Sequence, residues 1–100
     1  MAVNVEKETI DIAGKEFTGI KIMMGETPVL MIAGEKSFLL CGYFNMEAAE
    51  KFGHVACSVT GVKSFAEMLE ASVSKASSRA RKKGAKEGMT GEEALIKMET

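Results

Sequence analysis

Val29-Leu30-Met31-Ile32-Ala33-Gly34-Glu35-Lys36-Ser37-Phe38-Leu39-Leu40-Cys41 sets two continuous apolar runs on either side of a polar turn. Apolar runs of this length without polar alternation belong to strands buried on both faces. Upstream, residues 16–24 do alternate. Thr18, Ile20, Ile22 and Met24 fall on one side, and Phe17, Gly19, Lys21 and Met23 on the other. Residues 3–12 are β-prone, with Ile10 and Ile12 sharing a face. Ala13-Gly14-Lys15 and Gly25-Glu26-Thr27-Pro28 read as turns, and the single proline stands where a strand begins. Ile12-Ala13-Gly14-Lys15-Glu16-Phe17 is echoed by Ile32-Ala33-Gly34-Glu35-Lys36-Ser37-Phe38. One echo is the mark of two similar hairpins rather than of a repeat architecture.

Downstream the period changes. Asn45 is placed to cap a short helix over residues 46–52 that stops at Gly53, and residues 54–59 read as one more strand. Ser64 and Glu67 have capping-box spacing. They predict a long helix over residues 64–84, with Phe65, Met68, Leu69, Ser72, Val73, Ala76 and Ala80 along one stripe and Gly84 past its end. Thr90 and Glu93 form a second such pair, ahead of a terminal helix that turns Ala94, Leu95 and Met98 inward. The expected order is four strands, a helix, a strand and two helices. That is α+β: a mainly antiparallel sheet built from an N-terminal meander of hairpins, with helices covering one face. Residues 1–100 are expected to form a single domain, β-rich over 1–44 and mixed over 45–100.

Composition removes several classes. Of the 100 residues, 46% are hydrophobic and 27% charged, close to the globular average and far from a disordered tail. Thirteen Lys and Arg against fourteen Asp and Glu leave a net charge of −1, so no global field points to nucleic acid or an anionic membrane. No apolar run approaches the ~18 residues of a membrane span. The first charge is Glu6, so the N-terminus lacks the basic-then-apolar order of a secretory signal, and the expected address is cytoplasmic. Cys41 and Cys57 have no CxxC spacing and there is one His in the chain, so neither a metal site nor a cofactor is expected. In a reducing cytosol both thiols are expected to be free.

Two stretches could carry chemistry. Thr60-Gly61-Val62-Lys63-Ser64 joins a predicted strand to a helix start, where free N–H groups attract anions. A tight turn with Ser64 as cap explains the same residues, and the loop of a Walker motif is absent. Leu40-Cys41-Gly42-Tyr43-Phe44-Asn45 leaves a central strand through a glycine that admits a ligand or a backbone. Cys41 there could pair with His54 as a nucleophile and base, or simply fill space in the core. The candidate ligand-binding set is therefore Cys41, Gly42, Asn45, Thr60, Gly61, Lys63 and Ser64, with no catalytic residue assigned.

Lys75, Arg79, Arg81, Lys82, Lys83 and Lys86 concentrate six basic residues within residues 75–86. Residues 1–70 carry a balance of −4 and residues 71–100 a balance of +3. The asymmetry favours an anionic partner, yet basic residues late in a helix also suit its dipole. No aromatic residue interleaves them, as a base-stacking surface requires. Separately, Val29, Leu30, Met31, Ile32, Leu39 and Leu40 cannot all face one helical layer. The surplus apolar face calls for a second chain or layer.

Taken together, Leu40-Cys41-Gly42, Gly61-Val62-Lys63-Ser64, Met68-Leu69-Glu70-Ala71, Gly88-Met89-Thr90-Gly91 and Glu93-Ala94-Leu95 carry a resemblance in their order and spacing. The chain resembles the YunC-like domain family of bacteria and archaea over residues 17–95. The resemblance implies a β-rich N-terminal oligomerisation region, here residues 3–41, and it supplies no catalytic residues. The expectation is a cytoplasmic, self-associating binding or assembly module whose ligand the sequence does not name, a small anion being the candidate. A small-molecule enzyme with a site near Cys41 and Lys63, and a weak nucleic-acid binder using residues 75–86, are the alternatives.

Overall fold

Two tight hairpins start the molecule, described here for residues 4–100 in a computed structural model. Strand β1 (Val5–Ile12) pairs antiparallel with β2 (Lys15–Met24) through a two-residue loop. Ala13 and Gly14 both have positive φ there, 52° and 81°, the twist that matches a right-handed strand pair. A second two-residue loop, Gly25 and Glu26, leads into β3 (Thr27–Ala33), and β4 (Phe38–Leu40) follows antiparallel. The predicted strand start at Val3 lies outside the described residues.

Beyond β4 the chain crosses over. Helix α1 (Met46–Lys51) is capped by Asn45 as its sequence indicates, and β5 (Ala56–Ser58) returns parallel to β4. Helix α2 (Phe65–Glu70) follows, then β6 (Lys75–Ala76), α3 (Ser78–Lys82) and α4 (Gly91–Glu99). The six strands lie in sequence order, β1 to β6, antiparallel except at β4–β5. The fold class is α+β, with an N-terminal hairpin meander as expected.

The long helix over residues 64–84 does not form, and the order of elements after β5 changes with it. Residues 71–78 hold four serines, whose hydroxyls compete with helical backbone bonds. The open edge of β5 offers the backbone better partners. Ser74 donates its N–H and its hydroxyl to the Ser58 carbonyl at 2.8 and 3.1 Å, and the Ser77 N–H reaches the Ala56 carbonyl at 2.9 Å. Those bonds satisfy an edge that would otherwise be buried unpaired. Ser77 then caps α3, and Gly84 follows that helix with φ 100°. Terminal helix α4 starts on a full capping box, in which the Thr90 N–H and hydroxyl hold the Glu93 carboxyl below its ordinary value.

The main core lies between one face of the sheet and α2, α3 and α4. Phe17, Leu30, Ile32, Leu39 and Cys57 meet Met68, Ala80, Leu95 and Met98, all but closed to solvent. Helix α1 packs on the opposite face, where Ala49 meets Leu40 and Ala56, with Met31 and Phe38 alongside. This patch reaches only the β4–β5 end. Farther along the same face the register sets Ile20 beside Met31 and Ile22 beside Val29, all half-buried. Val5 and Met24 continue it at 55% and 56% exposure. The apolar surplus read from the sequence is thus the outer face of β1–β3.

Candidate functional site

A cavity of about 490 Å³ opens at the ends of β4 and β5, within the usual range for a small-molecule site. Three segments line it: residues 26–28 from the β2–β3 loop and the start of β3, residues 41–43 after β4, and residues 61–63 after β5. Parallel pairing of β4 with β5 puts both strand exits at one edge of the sheet. Antiparallel pairing of β3 with β4 sets the start of β3 beside the exit of β4. Glu26, Thr27 and Pro28 therefore join a site that sequence spacing assigned only to residues after residue 40. The turn Gly25-Glu26-Thr27-Pro28 was visible as a turn, but its neighbour is decided by strand register.

Of the predicted residues, Cys41, Gly42, Gly61 and Lys63 line this cavity together. Thr60 stands just behind Gly42, where an added Cβ would meet Thr60 Cγ2 at 3.4 Å. Ser64 is occupied as the cap of α2, accepting from the Glu67 N–H at 3.1 Å. Glu67 reaches back past it to accept from the Lys63 N–H at 2.8 Å. A carboxylate of the chain itself thus holds one N–H an anion would seek, which leaves the Lys63 ammonium as the cationic group of the cavity. Asn45 lies elsewhere. Its side chain accepts from the N–H groups of Glu47 and Ala48, and it borders a separate apolar groove of about 280 Å³.

The Cys41–His54 dyad does not form. Cys41 Sγ is buried and accepts from the Leu30 N–H at 3.3 Å. His54 borders the apolar groove, where its ring meets Phe38 edge-on at 5.4 Å. Phe38 opens β4 and Cys41 follows the end of that strand, so the two groups stand at opposite ends of it. Cys57 lies in the core, and burial pushes its thiol up to about 11. Both cysteines are free. Since the thiolate is the reactive form, a thiol reagent at pH 8 should leave Cys57 unmodified in the native protein. Two groups per chain should react once the protein is denatured without reductant. Rapid labelling of Cys57 before denaturation would contradict that placement.

The basic run is divided among elements. Lys75 lies on β6 while Arg79, Arg81 and Lys82 lie on α3, so Lys75 and Arg79 do not share a helix face. Arg81 is paired with Glu87 at 2.6 Å, Lys83 Nζ donates to the Thr100 carbonyl at 3.1 Å, and the Arg79 guanidinium lies over Gly53. Among the described residues, no group of three or more His, Cys, Asp or Glu is placed to hold a metal ion. Among the same residues, no helix is long and apolar enough to cross a membrane.

These features define a small α+β domain with one parallel step in an antiparallel sheet and a crevice at that step. The chain belongs to the family described as domain of unknown function DUF1805, whose model matches residues 40–98. It is 30% identical over 93 residues to the uncharacterized protein YunC of Bacillus subtilis, covering 89% of this chain and 92% of that one. Its fold is similar to the crystal structure of TA1206, a protein of unknown function from Thermoplasma acidophilum. The TM-score is 0.91 and the identity 36%, over 98% of this chain and 96% of that one. The family match takes in two of the three cavity segments, and β1, β2 and β3 precede it.

Proposed function

We propose that this chain is a self-associating binding module: copies assemble through the outer face of β1–β3, and the cavity beside Lys63 holds a small anionic group. The outer face carries the argument. Ile20, Ile22 and Met31 form one apolar surface on the side of the sheet opposite α2 and α4, with Val29 beside Ile22 also reaching the main core, and α1 covers only its β4–β5 end. Contiguous apolar surface of this kind is characteristic of interfaces, and like chains meeting through one patch close into a symmetric oligomer. A cytoplasmic, reducing location fits the two free thiols.

Multi-angle light scattering tests the assembly. The wild-type protein should elute as a defined oligomer, and Ile22→Lys should elute as a smaller species with an unchanged far-UV spectrum. Ile22 belongs to neither buried cluster, so the substitution leaves the core alone. A monodisperse wild-type monomer would remove the assembly reading.

A further inference from the structure

The two strands flanking the cavity send their helices to opposite sides of the sheet. Strand β4 leads to α1, which packs against Leu40 and Ala56, whereas β5 leads to α2, whose Met68 packs in the main core with Leu39 and Cys57. Adjacent parallel strands whose connections part in this way leave a crevice beyond their carboxyl ends, and that crevice is where open α/β sheets bind ligands. Here the crevice carries two opposite charges. Lys63 and Glu26 both line it, yet the salt bridge found among the described residues is Arg81–Glu87. The two residues border one space, and no salt bridge joins them. Between them the wall is mostly apolar, with Pro28, Tyr43 and Val62.

We propose that the cavity takes a small apolar zwitterion of the α-amino-acid type, its carboxylate on Lys63, its ammonium on Glu26 and its side chain against Pro28 and Val62. This rests on the binding-module reading and names the ligand for it. A ligand carrying both charges satisfies both walls at once. An anion alone leaves Glu26 unpaired and repelling, and an amine alone does the same to Lys63. Each charge-assisted contact discriminates by roughly tenfold or more. Cys41 closes the floor with its sulfur already engaged by the Leu30 N–H, and no covalent step is involved.

Calorimetric titration of the full chain tests the proposal with three probes of one carbon skeleton. These are L-leucine, isocaproate, which lacks the ammonium, and isoamylamine, which lacks the carboxylate. Leucine should bind at least about tenfold more tightly than either analogue. Glu26→Gln should abolish its advantage over isocaproate, and Lys63→Met its advantage over isoamylamine. Both side chains are exposed, so both variants should fold. Gly42→Leu should block leucine, since Gly42 lines the cavity at an exposed position where an added Cβ meets only Thr60. Isocaproate binding as tightly as leucine would overturn the zwitterion and leave an anion site standing. Wild-type protein that binds none of the three would overturn the zwitterion and the cavity reading together.

Discussion

Gly91→Ala is expected to lower the melting temperature by about 8–16 °C or to prevent folding. Gly91 opens α4 and is buried, and its N–H donates to the Ala71 carbonyl at 2.9 Å, tying the start of α4 to the end of α2. An added Cβ would overlap the Met68 carbonyl oxygen and stand 2.8 Å from Leu39 Cδ2 and 3.1 Å from the Met68 carbonyl carbon. The obstacle is mainly backbone, which cannot swing aside as a long side chain can. Alanine gains up to about 1 kcal/mol in helix propensity, but overpacking against a fixed wall costs about 3 kcal/mol. The clash wins by about 2 kcal/mol, and each kcal/mol is worth about 4–8 °C in a domain of this size. Gly42→Ala is the control. Its Cβ makes an ordinary contact with Thr60 at an exposed site, so its effect should stay within about 0.5 kcal/mol. Thermal unfolding of both variants checks the pair, and equal melting temperatures would refute the close approach of α4 to α2.

Leu30→Lys and Met31→Lys, one residue apart in β3, should fail differently. Leu30 is 0% exposed on the helix-covered face, packed in the core that includes Ile32, Phe17 and Leu39. An unpaired ammonium there costs about 3–5 kcal/mol. That is a large share of the roughly 5–15 kcal/mol that holds a domain together, so the variant should unfold or be recovered insoluble. Met31 points to the outer face, where it is half-buried. A lysine there can extend its head into water along its apolar stem. Met31→Lys should keep a native-like circular dichroism spectrum and, on the proposed assembly, elute as a smaller species than the wild type. Recovering Leu30→Lys folded while Met31→Lys unfolds would mean that the two faces of β3 are assigned the wrong way round.

Much of the first half was legible because its signals are local. Alternation in β2 separates Phe17 from Ile20 and Ile22, and the structure buries the first while leaving the other two on the half-covered face. The two-residue loops at Ala13-Gly14 and Gly25-Glu26 set the hairpin registers. Caps at Asn45, Ser64 and Thr90 act within three residues of themselves and were found where the sequence placed them. A heptad-like stripe over residues 64–84 was equally visible and misled. Helical period measures which residues could share a face, and it is blind to a sheet edge that bids for the same backbone.

The sequence by itself determined the strand meander, the starts of α1, α2 and α4, the α+β class and the presence of an apolar surplus, because turns, caps and periodicity are properties of neighbouring residues. Tertiary structure alone decided the rest. It broke residues 64–84 at the open edge of β5, where Ser74 and Ser77 satisfy carbonyls that an uninterrupted helix would have left unpaired. It sent α1 and α2 to opposite faces of the sheet, and so made the crevice. It brought Glu26 to line the same cavity as Lys63, 37 positions away in the chain, because the register of β3 on β4 and the parallel step to β5 bring three loops to one edge. Hydrogen-bond pairing between strands is set by which distant edges are free. No local pattern encodes that choice.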